Sequence, residues 1–284
     1  MIEPKERATV MQTAIVTGAS SGIGEAIAGQ LIRDGYRVYA GARRVERMAK
    51  LEKDGAVLLN LDVTDDASMV AAIDKVKAEA GTIDVLVNNA GYGSYGSLEE
   101  VPIDEGRRQF EVNVFGLARL TQLVLPTMRT QRSGAIVNIS SMGGKIYEPY
   151  GSWYHATKFA VEGMSDSLRL ELEPFGIRVI VIEPGGIKSE WAPISRDNLL
   201  EHSGSGPYAE YAQAHARLLG GANNSGFVSP PEAVARIVSK ALKARHPRAR
   251  YPAAGGAGPI LFMRKILPDR LFDRFLRLIF RVGA

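Results

Sequence analysis

The sequence predicts an α/β protein: a doubly wound parallel sheet in a single domain, with a loop insert after the sixth strand and a helical tail at the carboxyl end. Three observations predict it. Short uncharged apolar runs alternate with stretches of helical spacing along most of the chain, and that alternation implies a parallel sheet with helices on both faces. A glycine-rich turn joins the first run to the first helix. The regular pattern breaks after Gly186, beyond the carboxyl end of a strand, the side on which open α/β sheets bind ligands.

The elements read in order. "TAIVT" (13–17) is a strand buried on both faces, since it is β-branched and carries no charge. "GASSGIG" follows, then a helix marked by Ile23, Ile27, Leu31 and Ile32 and stopped by Gly35. "RVYAGA" (37–42) and "AVLLNLDV" (56–63) read as the second and third strands, with a helix near 66–79. "IDVLVNNAG" (83–91) is the fourth strand, followed by a long helix near 103–130. "GAIVNISS" (134–141) is the fifth, a helix runs near 152–173, and "IRVIVIEPGG" (177–186) is the sixth. Residues 190–228 are rich in Gly, Ser, Asn, Ala and Tyr with weak periodicity. They are expected to form an irregular insert, either a lid or a variable surface loop. A helix over 229–244 is expected with Ser229 as N-cap and Pro231 and Glu232 in its first turn, and "RARYPAA" as a last strand.

The turn is the first feature with chemistry in it. Gly18, Gly22 and Gly24 enclose Ser20, Ser21 and Ile23 between a buried strand and a helix start. Glycine lets a pyrophosphate approach the backbone, and the helix start offers free N–H groups to it. The spacing G-x-x-x-G-x-G differs from the commoner G-x-G-x-x-G, and a plain tight turn is the alternative. The end of the second strand bears on which dinucleotide binds. An acidic residue there would hold a ribose diol and repel a 2′-phosphate. This chain has Ala42, then Arg43 and Arg44, and guanidinium groups pair bidentately with phosphate. NADP(H) is the preferred cofactor on this reading, with NAD(H) as the alternative.

"SWYHATKFAVEG" (152–163) places Tyr154 four residues before Lys158 on one helix face. A free tyrosine has a pKa near 10. A cation about 4 Å away, at an effective dielectric of about 20, is worth roughly 4 kcal/mol. That lowers the pKa by up to about three units before desolvation acts against it. A phenol tuned in this way exchanges a proton with a carbonyl or alcohol oxygen. Tyr147 and Tyr150 lack a lysine four residues on. A half-buried tyrosine beside a solvated lysine is the bland alternative.

"TGASSGIG", "NNAG", "YHATK" and "EPGG" occur together in an order and spacing that resembles the short-chain dehydrogenase/reductase family, over roughly residues 11–252. The resemblance implies one Rossmann-type domain that moves a hydride between NAD(P) and an alcohol or carbonyl. It implies Tyr154 as acid–base, with Lys158 as its tuner and a ribose contact. It selects Ser141 over Ser140 as the donor that holds the substrate oxygen, and Asn113 as the amide that disturbs the long helix and supports a water relay to the lysine. As cofactor contacts it implies Asp62 and Val63 at the adenine, and Asn88, Asn89, Ala90 and Gly91 near the adenosine ribose. Pro184, Gly185 and Ile187 would line the nicotinamide. Ser189 stands where many members have threonine, and Thr17 would brace the turn. No metal is implied.

Tyr92, Tyr95, Met142, Tyr147, Tyr150, Trp153 and Trp191 cluster around these motifs. Aromatic and sulfur-bearing walls suit a bulky apolar alcohol, ketone or aldehyde, steroid-like, retinoid-like or acyl. An NAD-linked alcohol dehydrogenase and a non-catalytic NAD(P)-sensing protein are the rival functions. Intact Ser141, Tyr154 and Lys158 weigh against the sensor.

The bulk numbers bound the rest. The chain has 284 residues, no cysteine and a formal charge of +4, which suits a reducing, cytoplasmic compartment and gives no case for nucleic acid. Residues 1–10 are expected as a tail, 11–258 as the nucleotide-binding and catalytic domain with the insert at 190–228, and 259–284 as an amphipathic basic helical segment. In that segment a helix after Pro268 would set Arg270, Arg274, Arg277 and Arg281 opposite Phe272, Phe275, Leu276 and Ile279. Such a helix packs on its own domain, forms a subunit interface or lies on a membrane surface. A homodimer or homotetramer is expected from the resemblance.

Overall fold

The computed structural model describes residues 11–222 and 228–280. The tail at 1–10, part of the insert and Arg281 lie outside the described residues. Seven parallel strands form one sheet in the order β3-β2-β1-β4-β5-β6-β7. They are β1 Thr13–Thr17, β2 Arg37–Ala42, β3 Val57–Asn60, β4 Val85–Asn88, β5 Gly134–Ile139, β6 Ile177–Pro184 and β7 Arg250–Ala253. The central strands are buried along nearly their whole length, so their apolar runs carry no polar alternation. The expected third strand is shorter than its apolar run. Leu61 and Val63 stay buried, but the chain turns at Asp62, whose carboxylate accepts from the Thr64 N–H and hydroxyl.

The helices are α1 Gly22–Arg33, α2 Ala49–Lys53, α3 Asp66–Ala80, α4 Ile103–Phe110, α5 Gly116–Gln131, α6 Ser152–Leu172, α7 Trp191–Ser203, α8 Ala209–Ala222, α9 Pro231–Lys243, α10 Ala257–Ile266 and α11 Asp269–Phe280. Ile27, Leu31, Val234 and Val238 of α1 and α9 fill one face of the sheet. Ile73, Val76, Leu120 and Val124 of α3 and α5 fill the other. The chain winds outward from β1 to β3 and then returns to β4 beside β1, which opens a crevice at the carboxyl ends of β1 and β4.

Three expectations need correction. The insert is not irregular: α7 and α8 occupy most of it. α7 has little amphipathic contrast in sequence, and both helices pack Leu199, Ala212 and Ala216 on Tyr95 and Tyr154. Ser229 does not cap α9; Pro230 does. Ser229 instead bridges Ile187, and its hydroxyl accepts from the Gly255 N–H at 3.1 Å. The long helix is interrupted by a π-helical turn at Glu111–Phe115, between α4 and α5.

The tail forms two helices. Phe272 and Leu276 of α11 are buried against Ile146, with Tyr147 and Met142 beside them. The apolar face expected at Phe272 and Leu276 therefore packs on the chain's own domain. Phe262, Ile266, Leu271 and Leu278 remain exposed. No helix of the described residues is long and apolar enough to cross a membrane.

Candidate active site

The glycine turn sits at the crevice. Gly18 and Gly22 have φ of +65° and +57°, a region that costs other residues strain. A Cβ on Gly24 would lie 2.2 Å from the Gly18 carbonyl oxygen, so the helix start and the loop touch backbone to backbone. Ser21 is the N-cap of α1, and no side chain caps the helix. Its first N–H groups are thus left to an anion. Ile23 packs on the core below, and Ser189 lies above, 3.4 Å from where a Gly22 Cβ would be. This cradle fits a pyrophosphate.

Thr17 ties the turn to the next strand end. Its hydroxyl accepts from the Asn89 and Ala90 N–H groups, and the Asn89 amide donates to the carbonyls of Thr17 and Gly18. Asn88 differs from its expected place. Strand alternation turns it inward, where its amide donates to Thr121 and Asn138; Asn89 is the residue beside the turn. Gly91 faces the Asn113 amide oxygen, 3.0 Å from its would-be Cβ.

Arg43 and Arg44 emerge exposed from the end of β2. Arg44 and Arg47 both pair with Glu190, at 3.4 and 3.0 Å, so the basic cluster already holds the start of α7. Sequence reasoning missed these two pairs, which join residues 146 and 143 positions apart. Asp62 is near Arg43. Burial pushes its carboxyl up, but Thr64 and the nearby guanidinium groups bring it below the usual range.

At the other end, Gly185 approaches the turn after β7 so closely that a Cβ would meet the Gly255 oxygen at 2.1 Å. The bridge to Ser229 uses the Gly186 oxygen and the Lys188 N–H, the groups on either side of Ile187. Pro184 ends β6, and its carbonyl lies 3.5 Å from the Ser141 hydroxyl.

α6 carries Tyr154 and Lys158 on its buried face. Ser141 caps the short turn after β5, accepting from the Gly143 N–H at 3.0 Å. Its hydroxyl also interacts with the Tyr154 phenol. Ser140 points away, buried and without a hydrogen-bond partner. The Lys158 ammonium donates to the Ile139 carbonyl at 3.0 Å and lies 5.9 Å from the Tyr154 ring centre. Asn113, in the π-helical turn, clasps both backbone groups of Tyr92 and donates to Thr157 at 3.1 Å. π-Turns of this kind recur at functional sites.

The electrostatics depart from the expectation. Burial raises the Tyr154 phenol to about 12, with Ser141 pulling it down and Glu148 pushing it up. Burial lowers Lys158 to about 8, with Glu162 opposing. Desolvation is the leading cause for both groups, and the ammonium is bound to a carbonyl rather than to the phenol oxygen.

Aromatic rings cover Tyr154. Trp191 lies 5.2 Å and Tyr95 5.9 Å from it, centre to centre. Tyr150 packs on this group with a positive φ of 66°. Trp153 and Tyr92 do not join this wall. Trp153 meets Phe110 edge-on, and the Tyr92 hydroxyl donates to Glu105. His155, the neighbour of Tyr154, is buried and bonded to Gly143 and Glu148.

Residues 12–199, which contain the turn, Tyr154 and Lys158, match the family profile described as short chain dehydrogenase. The chain belongs to the short-chain dehydrogenase/reductase family. It is an NAD(P)-dependent oxidoreductase. This dehydrogenase/reductase is 35% identical to an NADPH-dependent 3-dehydrocapnine reductase of Ornithobacterium rhinotracheale, over 93% of this chain and 95% of the relative. It is 34% identical to a 3-ketodihydrosphingosine reductase of Bacteroides thetaiotaomicron, over 95% and 98%. A solved short-chain dehydrogenase from Streptomyces avermitilis superposes with a TM-score of 0.78 at 35% identity, over 93% of this chain and 94% of the other.

Proposed function

We propose that this dehydrogenase/reductase interconverts a bulky apolar ketone and its secondary alcohol with NADP(H), and works chiefly as a reductase. The observation that carries the reading is the Tyr154 phenol, set on the buried face of α6 with Lys158 5.9 Å from its ring and walled by Tyr95 and Trp191. The same phenol can give a proton to a ketone oxygen or take one back from the alcohol. Bound NADPH supplies the hydride to the carbonyl carbon. Tyr154 supplies the proton to the oxygen, and Ser141 donates a hydrogen bond that holds it. Lys158 keeps a positive charge in the site below about pH 8. Asn113 fixes the start of α6 through Thr157. Two relatives are named as reductases of a 3-keto and a 3-dehydro compound, which supports the direction. One is named as NADPH-dependent, which with Arg43 and Arg44 supports the cofactor. A panel of ketones followed by NADPH absorbance tests the reading. Tyr154→Phe should lower kcat by about a hundredfold or more while the NADPH Kd moves little; a variant that reduces ketones at the parent rate overturns the assignment.

The exposed Phe262, Ile266, Leu271 and Leu278 support a second reading, peripheral contact with an anionic lipid surface. Arg270, Arg274 and Arg277 are exposed on α11 with Leu271 and Leu278, a combination that favours an interface of lipid headgroups. Cosedimentation with anionic vesicles should fall when Leu271 and Leu278 are replaced by serine. Equal binding by both proteins would remove this reading.

A further inference from the structure

The last helix braces the ring wall over Tyr154 from outside. α11 has two footings, and each lies on a segment beside the phenol. The first is the stretch that runs on from Ser141. Phe272 and Leu276 are buried against Ile146, with Met142 beside them, and the Tyr147 hydroxyl donates to Asp273 at 2.7 Å. The Tyr147 and Phe272 rings meet at 5.8 Å, and the Arg264 guanidinium of α10 lies over both. The second footing is on the insert. Phe280 stacks on His215 of α8, with ring centres 4.8 Å apart and planes 9° from parallel. Phe272, Leu276 and Phe280 stand four residues apart, so they form one stripe along the helix. That stripe crosses from the segment after Ser141 to the helices that cover Tyr154.

From Phe280 the ring contacts run inward to the phenol. His215 is 1% exposed and lies 6.1 Å from Tyr95, centre to centre. Tyr95 lies 5.9 Å from Tyr154 and meets Trp191 edge-on at 5.6 Å. Neither ring nitrogen of His215 has a hydrogen-bond partner among the described residues. Its orientation therefore rests on the rings around it, and Phe280 is the one that faces it in parallel. Aromatic pairs prefer particular angles, so a ring removed at one end leaves the next free to turn. Phe280 is half-buried and belongs to neither core that fills a face of the sheet, so its loss is a local change.

We propose that Phe280 is a positioning residue for the active site: through His215 and Tyr95 it keeps the α7–α8 insert and Trp191 seated over Tyr154. α11 is then part of the site's cover rather than an appended tail. The proposal rests on the reductase reading only for its kinetic readout.

Acrylamide quenching of tryptophan fluorescence tests it without turnover. The chain has two tryptophans. Trp153 packs on Phe110 away from the wall, so Trp153→Phe leaves Trp191 as the reporter. In that background Phe280→Ala should raise the quenching constant by about twofold or more, as local opening does. Phe280→Tyr keeps the ring and should match the Trp153→Phe protein. Leu278→Ala, at a position 77% exposed on the same helix, should match it too. Unchanged quenching in Phe280→Ala, or an equal rise in Phe280→Tyr or Leu278→Ala, overturns the proposal. In the kinetic arm, Phe280→Ala should lower kcat/KM for a bulky apolar ketone by about fivefold or more, while the NADPH Kd stays within about twofold of the parent. A Kd that moves as far as kcat/KM means general loosening and also overturns it. If the parent reduces no ketone while the quenching order holds, the positioning role stands and the reductase reading falls.

Discussion

At the scale of single residues, the chemistry turns on where each charge is spent. Lys158 gives its hydrogen bond to the Ile139 carbonyl and lies 5.9 Å from the centre of the Tyr154 ring. Arg44 and Arg47 are occupied by Glu190, which leaves Arg43 as the guanidinium without an ion pair at the end of β2 among the described residues. Arg43→Asp should therefore raise the NADPH Kd by about tenfold or more, by removing a cation and adding an anion where the 2′-phosphate is expected. Isothermal titration measures it, and an unchanged Kd would move the phosphate elsewhere. Tyr154 and Lys158 were legible in the sequence because helical spacing alone puts them on one face. Their proton affinities were not, because Tyr154 is covered by rings from distant segments and Lys158 reaches the Ile139 carbonyl of β5. Glu148 was not singled out, since nothing in "KIYEPY" says that a ring 53 residues earlier will bind it.

At the scale of elements, the informative contrast lies along α11. Phe272 is fully buried and Leu278 is 77% exposed, six residues apart on one amphipathic helix. If α11 is part of the cooperative unit, Phe272→Ala should cost about 3–5 kcal/mol in denaturant unfolding. Leu278→Ala should stay within about 0.5 kcal/mol. Equal, small effects would mean that α11 docks too weakly to belong to the core. Elements were legible where a strand is buried on both faces, as in β1, β4 and β6, because apolar runs then stand alone between turns. They were least legible in α7 and α8. Those helices pack small residues such as Ala212, Ala216 and Ser195 against rings from distant segments, so their sequence has the composition of a loop.

At the scale of the whole molecule, a buried charge cluster joins α6 to the far edge of the sheet. Arg250 of β7 pairs with Glu162 at 2.8 Å and Asp166 at 2.7 Å, and Lys145 meets Glu162 at 3.2 Å. Glu183 at the end of β6 has only a longer contact with the Arg250 guanidinium, at 3.7 Å. Burial, with Glu162 beside it, raises its pKa from 4.5 to about 7. The folded state thus keeps this proton to higher pH than the unfolded chain does. Its contribution to stability is complete below about pH 4.5 and is lost as pH rises toward 7, by up to about 3 kcal/mol. Urea unfolding across that window should show a shallower decline for Glu183→Gln than for the parent. Parallel curves would mean that Arg250 already satisfies Glu183. The order of strands was implied by the alternation of elements, but this cluster was not. It requires knowing that β7 adds to β6 at the register Pro184↔Ala253.

One feature of the crevice ties its two ends together. Glu190, clamped by Arg44 and Arg47 beyond the end of β2, is followed immediately by Trp191, whose ring lies 5.2 Å from that of Tyr154. The ion pairs that anchor the start of α7 therefore also hold the indole that shields the phenol, so a charge lost at either arginine is felt one residue away from the aromatic cover.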